Sequence, residues 1–142
     1  MDYLSSVEYK DCLPFIAPVT SGKVVKVYDG DTITIASKLP YLDSPIYRFS
    51  VRINGIDCPE IKTKCKDEKE IAILAKKFLE NKILNKIVNL GNIQKEKYGR
   101  LLADVFLDGE KISDLLLSSK LAIVYSGGTK KKNFDWKKNY IN

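Results

Sequence analysis

The segment VVKVYDGDTITIAS, residues 24–37, places the strongest constraint on the fold. Two runs rich in β-branched residues flank Asp29 and Gly30, and Asp-Gly is a dipeptide typical of a tight hairpin turn. The segment therefore predicts two adjacent antiparallel strands. Any fold proposed for this chain must contain this hairpin as part of a sheet.

The residues that follow extend this sheet and then change to a helical period. A third strand is predicted from about Ile46 to Ile56, after a connection whose two prolines fit a long hairpin loop. Residues 67–86 carry apolar side chains at i, i+3, i+4, i+7, i+8 and i+12, with Asp67 predicted as the N-cap. The apolar face of this helix consists of Ile71, Leu74, Ala75, Phe78, Leu79 and Ile83.

The second half of the chain predicts two further strands and a short helix. The segments IVNLGN and RLLADVFLDG are typical of strands, and KISDLLLSS predicts a helix with Ile112, Leu115 and Leu116 facing inward. Five strands and two helices in this order make an α+β fold, and the natural candidate is a five-stranded OB-type barrel. The same elements also fit a split sandwich, which periodicity does not distinguish from the barrel.

The length of the chain, 142 residues, suits one domain. We expect residues 1–21 to form an extended or partly disordered leader, residues 22–126 the folded domain, and residues 127–142 a basic, aromatic tail. The tail sequence GGTKKKNFDWKKNY has no clear period. It either adds a basic surface for a nucleic-acid backbone or is solvated.

Composition limits the function classes. The chain has 24 Lys and Arg residues against 18 Asp and Glu residues, and this net charge of +6 favours polyanionic partners such as nucleic acid. It has no His, and its three Cys residues form no CxxC pair, which argues against common zinc sites and a disulfide framework. Acid–base chemistry must therefore come from carboxylates, Tyr or Lys.

The apolar runs are too short to span a membrane, and the start of the chain lacks the pattern of a signal peptide. We therefore expect an intracellular, cytoplasmic protein that makes no membrane contact and is a monomer.

Acidic residues follow the ends of two predicted strands. Asp29 and Asp31 flank Gly30, and Asp57 and Glu60 flank a Cys-Pro pair. Hard oxygen ligands at adjacent strand ends suit Ca²⁺ or Mg²⁺. The alternative for the first pair is a hairpin turn with solvated acids.

Arg52 lies in the third strand, five residues before Asp57. In a straight strand this separation is about 17 Å and places the two side chains on opposite faces. They can share a site only if the strand bends, and Gly55 is where we expect the bend. The alternative is that Arg52 is an exposed charge on the wet face of the strand.

A second basic cluster occurs in KEKYGRLLA, where Lys97, Tyr98 and Arg100 surround Gly99. Such a turn is suited to binding phosphate and stacking a base, although it is also an ordinary turn before a strand. A metal, two arginines and a carboxylate that activates water together make a consistent phosphodiesterase site.

Three motifs in order give the chain its resemblance to the thermonuclease family of staphylococcal (micrococcal) nuclease-like enzymes. YDGDTITI resembles the first family motif, VRINGIDCPE the second and KYGRLLA the third, and the likeness runs from about Lys23 to Tyr125. The resemblance implies a five-stranded OB-fold barrel with two or three helices. It also implies hydrolysis of DNA and RNA with one Ca²⁺ per active site, leaving 3′-phosphate and 5′-hydroxyl ends.

The resemblance also implies metal ligands. Asp31 and Asp57 match the carboxylates that bind Ca²⁺ in the family. Cys58 matches a position that contributes its backbone carbonyl, so a change of side chain there need not remove a ligand. Asp29 matches an acid that lies near the metal and supports the site.

The catalytic and substrate-binding positions follow in the same way. Arg52 and Arg100 match the two phosphate-binding arginines, and Glu60 matches the general base or water-positioning residue. Lys97 and Tyr98 match positions that contact a terminal phosphate of the nucleotide.

The chain departs from the family pattern in three places. The connection before Tyr47 is longer and the loop after Glu60 is shorter than in the best-known member. The aromatic pair that flanks the base in that member is not matched, since only Tyr125 lies nearby, and the long C-terminal helix is replaced by the basic tail. There are two alternatives to a nuclease. One is a non-catalytic nucleic-acid-binding OB-fold module, because the same fold also occurs as a binding module, and the other is a protein-interaction domain that uses the tail.

Overall fold

The structure is a computed structural model that describes residues 2–128 and 134–142, apart from the Tyr98 side chain. The α-helices of the described residues are α1 (Asp2–Ser5), α2 (Lys66–Ile83), α3 (Ile112–Ser118) and α4 (Trp136–Ile141). The strands are β1 (Ser21–Asp29), β2 (Thr32–Lys38), β3 (Ile46–Ile53), β4 (Ile56–Asp57), β5 (Ile87–Lys95), β6 (Leu101–Leu107), β7 (Glu110–Lys111) and β8 (Ile123–Val124). Short 3₁₀ turns cover Tyr9–Asp11 and Lys97–Gly99.

Five of these strands close into a barrel. β1 pairs with β2 on one side and β5 on the other, β2 pairs with β3, and β5 pairs with β6, all antiparallel. A parallel pairing between β3 and β6 closes the ring. The prediction of an α+β fold with a five-stranded OB-type barrel is therefore confirmed, and the split sandwich is wrong.

The hairpin at Asp29 and Gly30 is confirmed, and its first strand is irregular next to the turn. β1 advances two residues from Val27 to Asp29 while its partner advances one, from Ile33 to Thr32, so Tyr28 is the extra residue of a β-bulge. Bulges increase the local twist of a strand and help a sheet to close.

The long helix α2 packs its apolar face against the barrel. Ile71, Ala75, Leu79 and Ile83 are all almost completely buried, at 1% exposure or less. The prediction of Asp67 as N-cap is wrong, because the helix begins at Lys66 and its N-cap is Cys65, two residues before Asp67. Asp67 lies instead in the first turn, where a carboxylate still interacts favourably with the helix dipole.

The bend expected near Gly55 is present. β3 ends at Ile53, and Gly55 adopts a φ of +85°, a conformation that glycine reaches without steric cost. The barrel holds the bend in place, because the Asn54 backbone N–H donates to the Ala103 carbonyl at 2.9 Å and its side-chain amide donates to Asp104 at 3.3 Å. The short strand β4 follows the turn and pairs with β8.

The chain ends contain more structure than their sequences predict. In the tail, Asp135 accepts a hydrogen bond from the Lys138 N–H as the N-cap of α4, and Trp136 joins the core at 6% exposure. The consecutive lysines 130–132, which carry the predicted basic surface, lie outside the described residues. In the leader most side chains are exposed, whereas Val19 is buried.

Within the described part of the chain, no helix combines the length and apolar character that crossing a membrane requires.

Candidate active site

The turn between β1 and β2 packs closely against Cys58 and α2, because Gly30 has no side chain. A Cβ atom at this position would lie 2.9 Å from the Ala75 Cβ and 2.9 Å from the Cys58 Sγ. Real Cβ atoms do not approach that closely, so any larger residue would push the turn away. The absence of a side chain at Gly30 thus brings Asp29 and Asp31 next to the Cys58 segment and α2.

Arg52 lies between two buried carboxylates. Its Nη1 is 3.4 Å from Asp31 Oδ2, and its Nη2 is 3.6 Å from Asp57 Oδ1. Arg52, Asp31 and Asp57 are all exposed by only 6–7%. The alternatives of an exposed arginine and a hairpin turn with solvated acids are therefore wrong, because these groups have been taken out of water together.

Asp31 also joins the first two sequence motifs directly. Its Oδ2 accepts a hydrogen bond from the Cys58 backbone N–H at 3.1 Å, and its Oδ1 accepts one from Thr32 Oγ1 at 3.0 Å. The Ile53 N–H donates to the Asp31 carbonyl at 2.8 Å. These bonds fix the Asp31 carboxylate to the bent end of β3.

Asp29 is partly buried beside a second carboxylate. Burial, together with the neighbouring Asp31 carboxylate, raises the pKa of Asp29 to about 7. Like charges that are desolvated together disfavour ionisation of one of them unless a cation is near. Arg52 offsets part of this effect, because its guanidinium lowers the pKa of Asp29.

The donor chemistry of this site fits a hard cation such as Ca²⁺. Asp31 and Asp57 offer carboxylate oxygens, which hard cations prefer. Burial, and then the nearby Asp31, raise the pKa of the Cys58 thiol well above its ordinary value. In the described residues no three His, Cys, Asp or Glu side chains form a metal site by themselves, so backbone or water oxygens would have to complete the coordination.

The Tyr125 ring lies near the Arg52 guanidinium. The Arg52 Cζ lies 6.0 Å from the centre of the Tyr125 ring, a cation–π distance. The Tyr125 N–H donates to the Gly55 carbonyl at 2.9 Å, and its hydroxyl donates to the Gly128 carbonyl at 2.6 Å. Tyr125 therefore positions Arg52 and the bend at Gly55. The resemblance to the family, in which an aromatic pair flanks the base, did not suggest this role.

Glu60 lies on a short loop that is fastened to the start of α2. Its backbone N–H donates to Glu68 Oε2 at 2.9 Å, and Thr63 Oγ1 donates to Glu68 Oε1 at 3.2 Å. The Glu60 side chain is exposed and lines the same cavity as Asp31 and Arg52. The loop thus presents a carboxylate at the open side of the acidic cluster.

The cavity has a volume of about 520 Å³ and brings together charges of both signs. Its acidic side chains are Asp29, Asp31 and Glu60, and its basic side chains are Lys26, Arg52, Lys62, Lys76 and Arg100. Arg100 reaches it from the turn before β6, where its guanidinium forms an ion pair with Glu96. The two predicted phosphate-binding arginines therefore meet in one cavity.

The remaining predicted residues are placed differently. Asp57 and Cys58 lie beneath the cavity and contact it through Arg52 and Asp31. Lys97 is exposed on the 3₁₀ turn and is not among the described residues that line the cavity. The Tyr98 side chain lies outside the described part of the chain.

Sequence reasoning missed several cavity residues: Lys26, Tyr28, Lys62 and Lys76. Lys26 and Tyr28 are two residues apart on β1 and immediately precede the acidic turn, so their spacing could have indicated a shared face. Lys76 comes from α2, and no local pattern connects it with β1.

This five-stranded barrel, which carries two arginines and a group of acids at one end, has the architecture of a staphylococcal nuclease-like domain. The sequence model of the staphylococcal nuclease homologue family matches residues 50–142, which is more than half of the chain. The chain therefore belongs to this family. The match includes Arg52, Asp57, Glu60 and Arg100, and it begins after the Asp29–Asp31 turn.

Individual relatives agree with this assignment. The chain is 36% identical over 86 residues to a probable endonuclease of Schizosaccharomyces pombe, covering 56% of this chain and 37% of that protein. It is 32% identical over 145 residues to an uncharacterized protein of Methanocaldococcus jannaschii, covering 85% and 64%. An uncharacterized endonuclease of Escherichia coli O157:H7 is 29% identical over 126 residues, with 87% and 72% covered. The chain thus spans less than two thirds of the first two relatives.

Proposed function

We propose that this chain is a nuclease that hydrolyses the phosphodiester bonds of DNA and RNA with one bound Ca²⁺, leaving 3′-phosphate and 5′-hydroxyl ends. The observation that carries the proposal is the cavity in which Arg52, buried between Asp31 and Asp57, faces the same space as Glu60 and Arg100. Membership of the staphylococcal nuclease homologue family and the relatives named as endonucleases support the same activity.

In this proposal the two arginines bind the scissile phosphate. Arg52 cannot move far, because the carboxylates on either side and the Tyr125 ring hold it. Arg100 is partly exposed, so it can exchange Glu96 for a phosphate oxygen. Guanidinium groups donate several fixed hydrogen bonds and favour the negative charge that grows on the phosphate in the transition state.

We assign Glu60 the role of general base, which accepts a proton from the attacking water. The chain contains no His, so a carboxylate at the open side of the cavity is the natural base. Asp31, Asp57 and the Cys58 carbonyl would hold Ca²⁺, with Asp29 adding negative charge beside them. When bound, the ion supplies Lewis-acid stabilisation of the phosphate oxygens.

The test is digestion of single-stranded DNA and RNA by the pure protein with Ca²⁺ and with a chelator, followed by identification of the product ends. We expect cleavage only with Ca²⁺, and Glu60→Gln should lower turnover by about 10²- to 10⁴-fold because the base is lost. The matched control is Glu110→Gln, an exposed glutamate on β7 outside the cavity.

Unchanged turnover in Glu60→Gln would show that Glu60 is not the general base. Binding of nucleic acid without cleavage under any divalent metal would instead favour the non-catalytic OB-fold module. That alternative is disfavoured by the site itself, because a binding module has no need of a buried arginine between two acids.

A further inference from the structure

One wall of the cavity carries an aromatic ring that has no part in the proposed chemistry. Tyr28 is 47% exposed and lines the cavity, whereas its neighbour Val27 points into the core at 3% exposure. Tyr28 is also the extra residue of the β-bulge next to Asp29. Bulges beside active sites commonly re-aim a side chain, so the bulge explains how the ring comes to lie beside the acidic turn.

Lysines from three different elements line the same cavity as this ring. Lys26 lies on the same outer side of β1, Lys76 comes from α2, and Lys62 comes from the loop after Glu60. Arg52 already lies between Asp31 and Asp57. Together with the two arginines, the three lysines give the cavity five basic side chains against three acidic ones. Such an excess of cations next to an exposed ring is typical of surfaces that bind single-stranded nucleic acid.

We propose that Tyr28 stacks on an unpaired base adjacent to the scissile phosphate, while Lys26 and Lys76 bind the phosphates that flank this base. The cavity would then hold a second nucleotide of a single strand. Its volume of about 520 Å³ is in the range of pockets that enclose whole ligands, and so exceeds what one phosphate needs. The position of the scissile phosphate in this arrangement rests on the proposed function.

The first experiment measures binding without cleavage. A fluorescent single-stranded oligonucleotide is titrated with wild type, Tyr28→Ala, Tyr28→Phe and Tyr41→Ala in the presence of chelator, and anisotropy gives Kd. We expect Tyr28→Ala to weaken binding by about 10-fold because a stacking ring is lost, and Tyr28→Phe to bind like wild type because the ring remains. Tyr41 is the control, since it is equally exposed but lies in the β2–β3 connection at the other end of the strands.

A blunt-ended duplex of the same sequence provides the second comparison. Its bases are already stacked on one another, so Tyr28→Ala should change its Kd by less than about 2-fold. An equal loss of affinity for single strand and duplex would overturn the stacking role.

The lysines are tested by salt dependence. Lys26→Ala and Lys76→Ala should each reduce the slope of log K against log salt concentration by about 0.7, because one fewer phosphate contact releases one fewer counterion. Lys38→Ala, at the far end of β2, should leave the slope unchanged. Unchanged slopes for Lys26→Ala and Lys76→Ala would show that neither lysine binds a phosphate.

These results separate the two proposals. If wild type cleaves but Tyr28→Ala binds the single strand normally, the second-nucleotide site is wrong and the nuclease proposal stands. If binding depends on Tyr28 but no divalent metal gives cleavage, the base-stacking site stands and the nuclease proposal falls.

Discussion

The two arginines of the cavity are held in opposite ways. Arg52 is almost completely buried, its Nη1 donates to the Ile53 carbonyl at 3.1 Å, and carboxylates and an aromatic ring surround it. Arg100 follows a glycine with a φ of +79°, its side chain is 37% exposed, and its ion pair is with Glu96, four residues away on the same turn. One half of the site is therefore organised before substrate arrives, and the other half can change partner.

The physical difference between these arginines lies in the cost of desolvation. A buried ion pair has given up its hydration, so removal of one partner leaves an uncompensated charge inside the protein. A partly exposed pair keeps most of its water, and its loss costs little. Stability should therefore depend on Arg52 and hardly at all on Arg100, although the proposed reaction uses both.

Arg52→Ala should have the largest effect. Asp31 and Asp57 would remain buried without their positive partner, so the free energy of unfolding should fall by about 3–5 kcal/mol, as is typical when a buried pair is broken. Urea unfolding in chelator measures this change. The matched control is Arg48→Ala, an exposed arginine on the same strand, which should cost less than about 1 kcal/mol. Equal losses in the two variants would show that the buried cluster does not depend on Arg52.

Arg100→Ala should separate activity from stability. We expect turnover to fall by about 10²- to 10³-fold, as when one donor to a transition-state oxyanion is removed. The unfolding midpoint should stay near that of wild type, because the pair with Glu96 is partly exposed.

Arg100→Lys sharpens this result. Lysine keeps the charge but cannot donate two parallel hydrogen bonds, so it should recover only part of the lost turnover. Full recovery would mean that Arg100 acts through charge alone, and a large loss of stability in Arg100→Ala would contradict the contrast with Arg52.

Gly30→Ala should lower stability less than Arg52→Ala does and still affect the organised half of the site. The added methyl group meets Ala75 and Cys58 at 2.9 Å, and overpacking of this kind costs about 1–3 kcal/mol. Because the turn must move, Asp31 should also lose its bond to the Cys58 N–H, and cleavage should fall with stability. Gly109→Ala provides the contrast, since alanine there meets no neighbouring atom but has to adopt a φ of +82°, so it measures backbone strain without overpacking.

Local patterns predicted most of the fold. The hairpin at Asp29 and Gly30, the period of α2 and the inward face of α3 are all properties of neighbouring residues. The hairpin and the α3 face are confirmed, and so is the period of α2 except at Leu74, which was predicted on the apolar face and is 37% exposed. The bend at Gly55 was also predictable, because Arg52 and Asp57 could share a phosphate only if the strand turned.

Properties that depend on distant residues could not be predicted in this way. The short helix α4 has no amphipathic period of its own, and its anchor is the packing of Trp136 in a core built by the rest of the chain. Burial of Arg52 likewise depends on Tyr125, which is far away in sequence. The cavity lysines come from a strand, a helix and a loop, so only the folded barrel brings them together.

The parallel pairing of β3 with β6 has a consequence for folding. It joins Arg52 to Leu102 in register, so the segments that carry the two arginines meet only when this last edge of the barrel closes. Such non-local contacts form late, because the entropy of closing a long loop is lost before the contacts compensate for it. A partly folded chain, even one with its hairpin and helix in place, would therefore hold two separate half-sites.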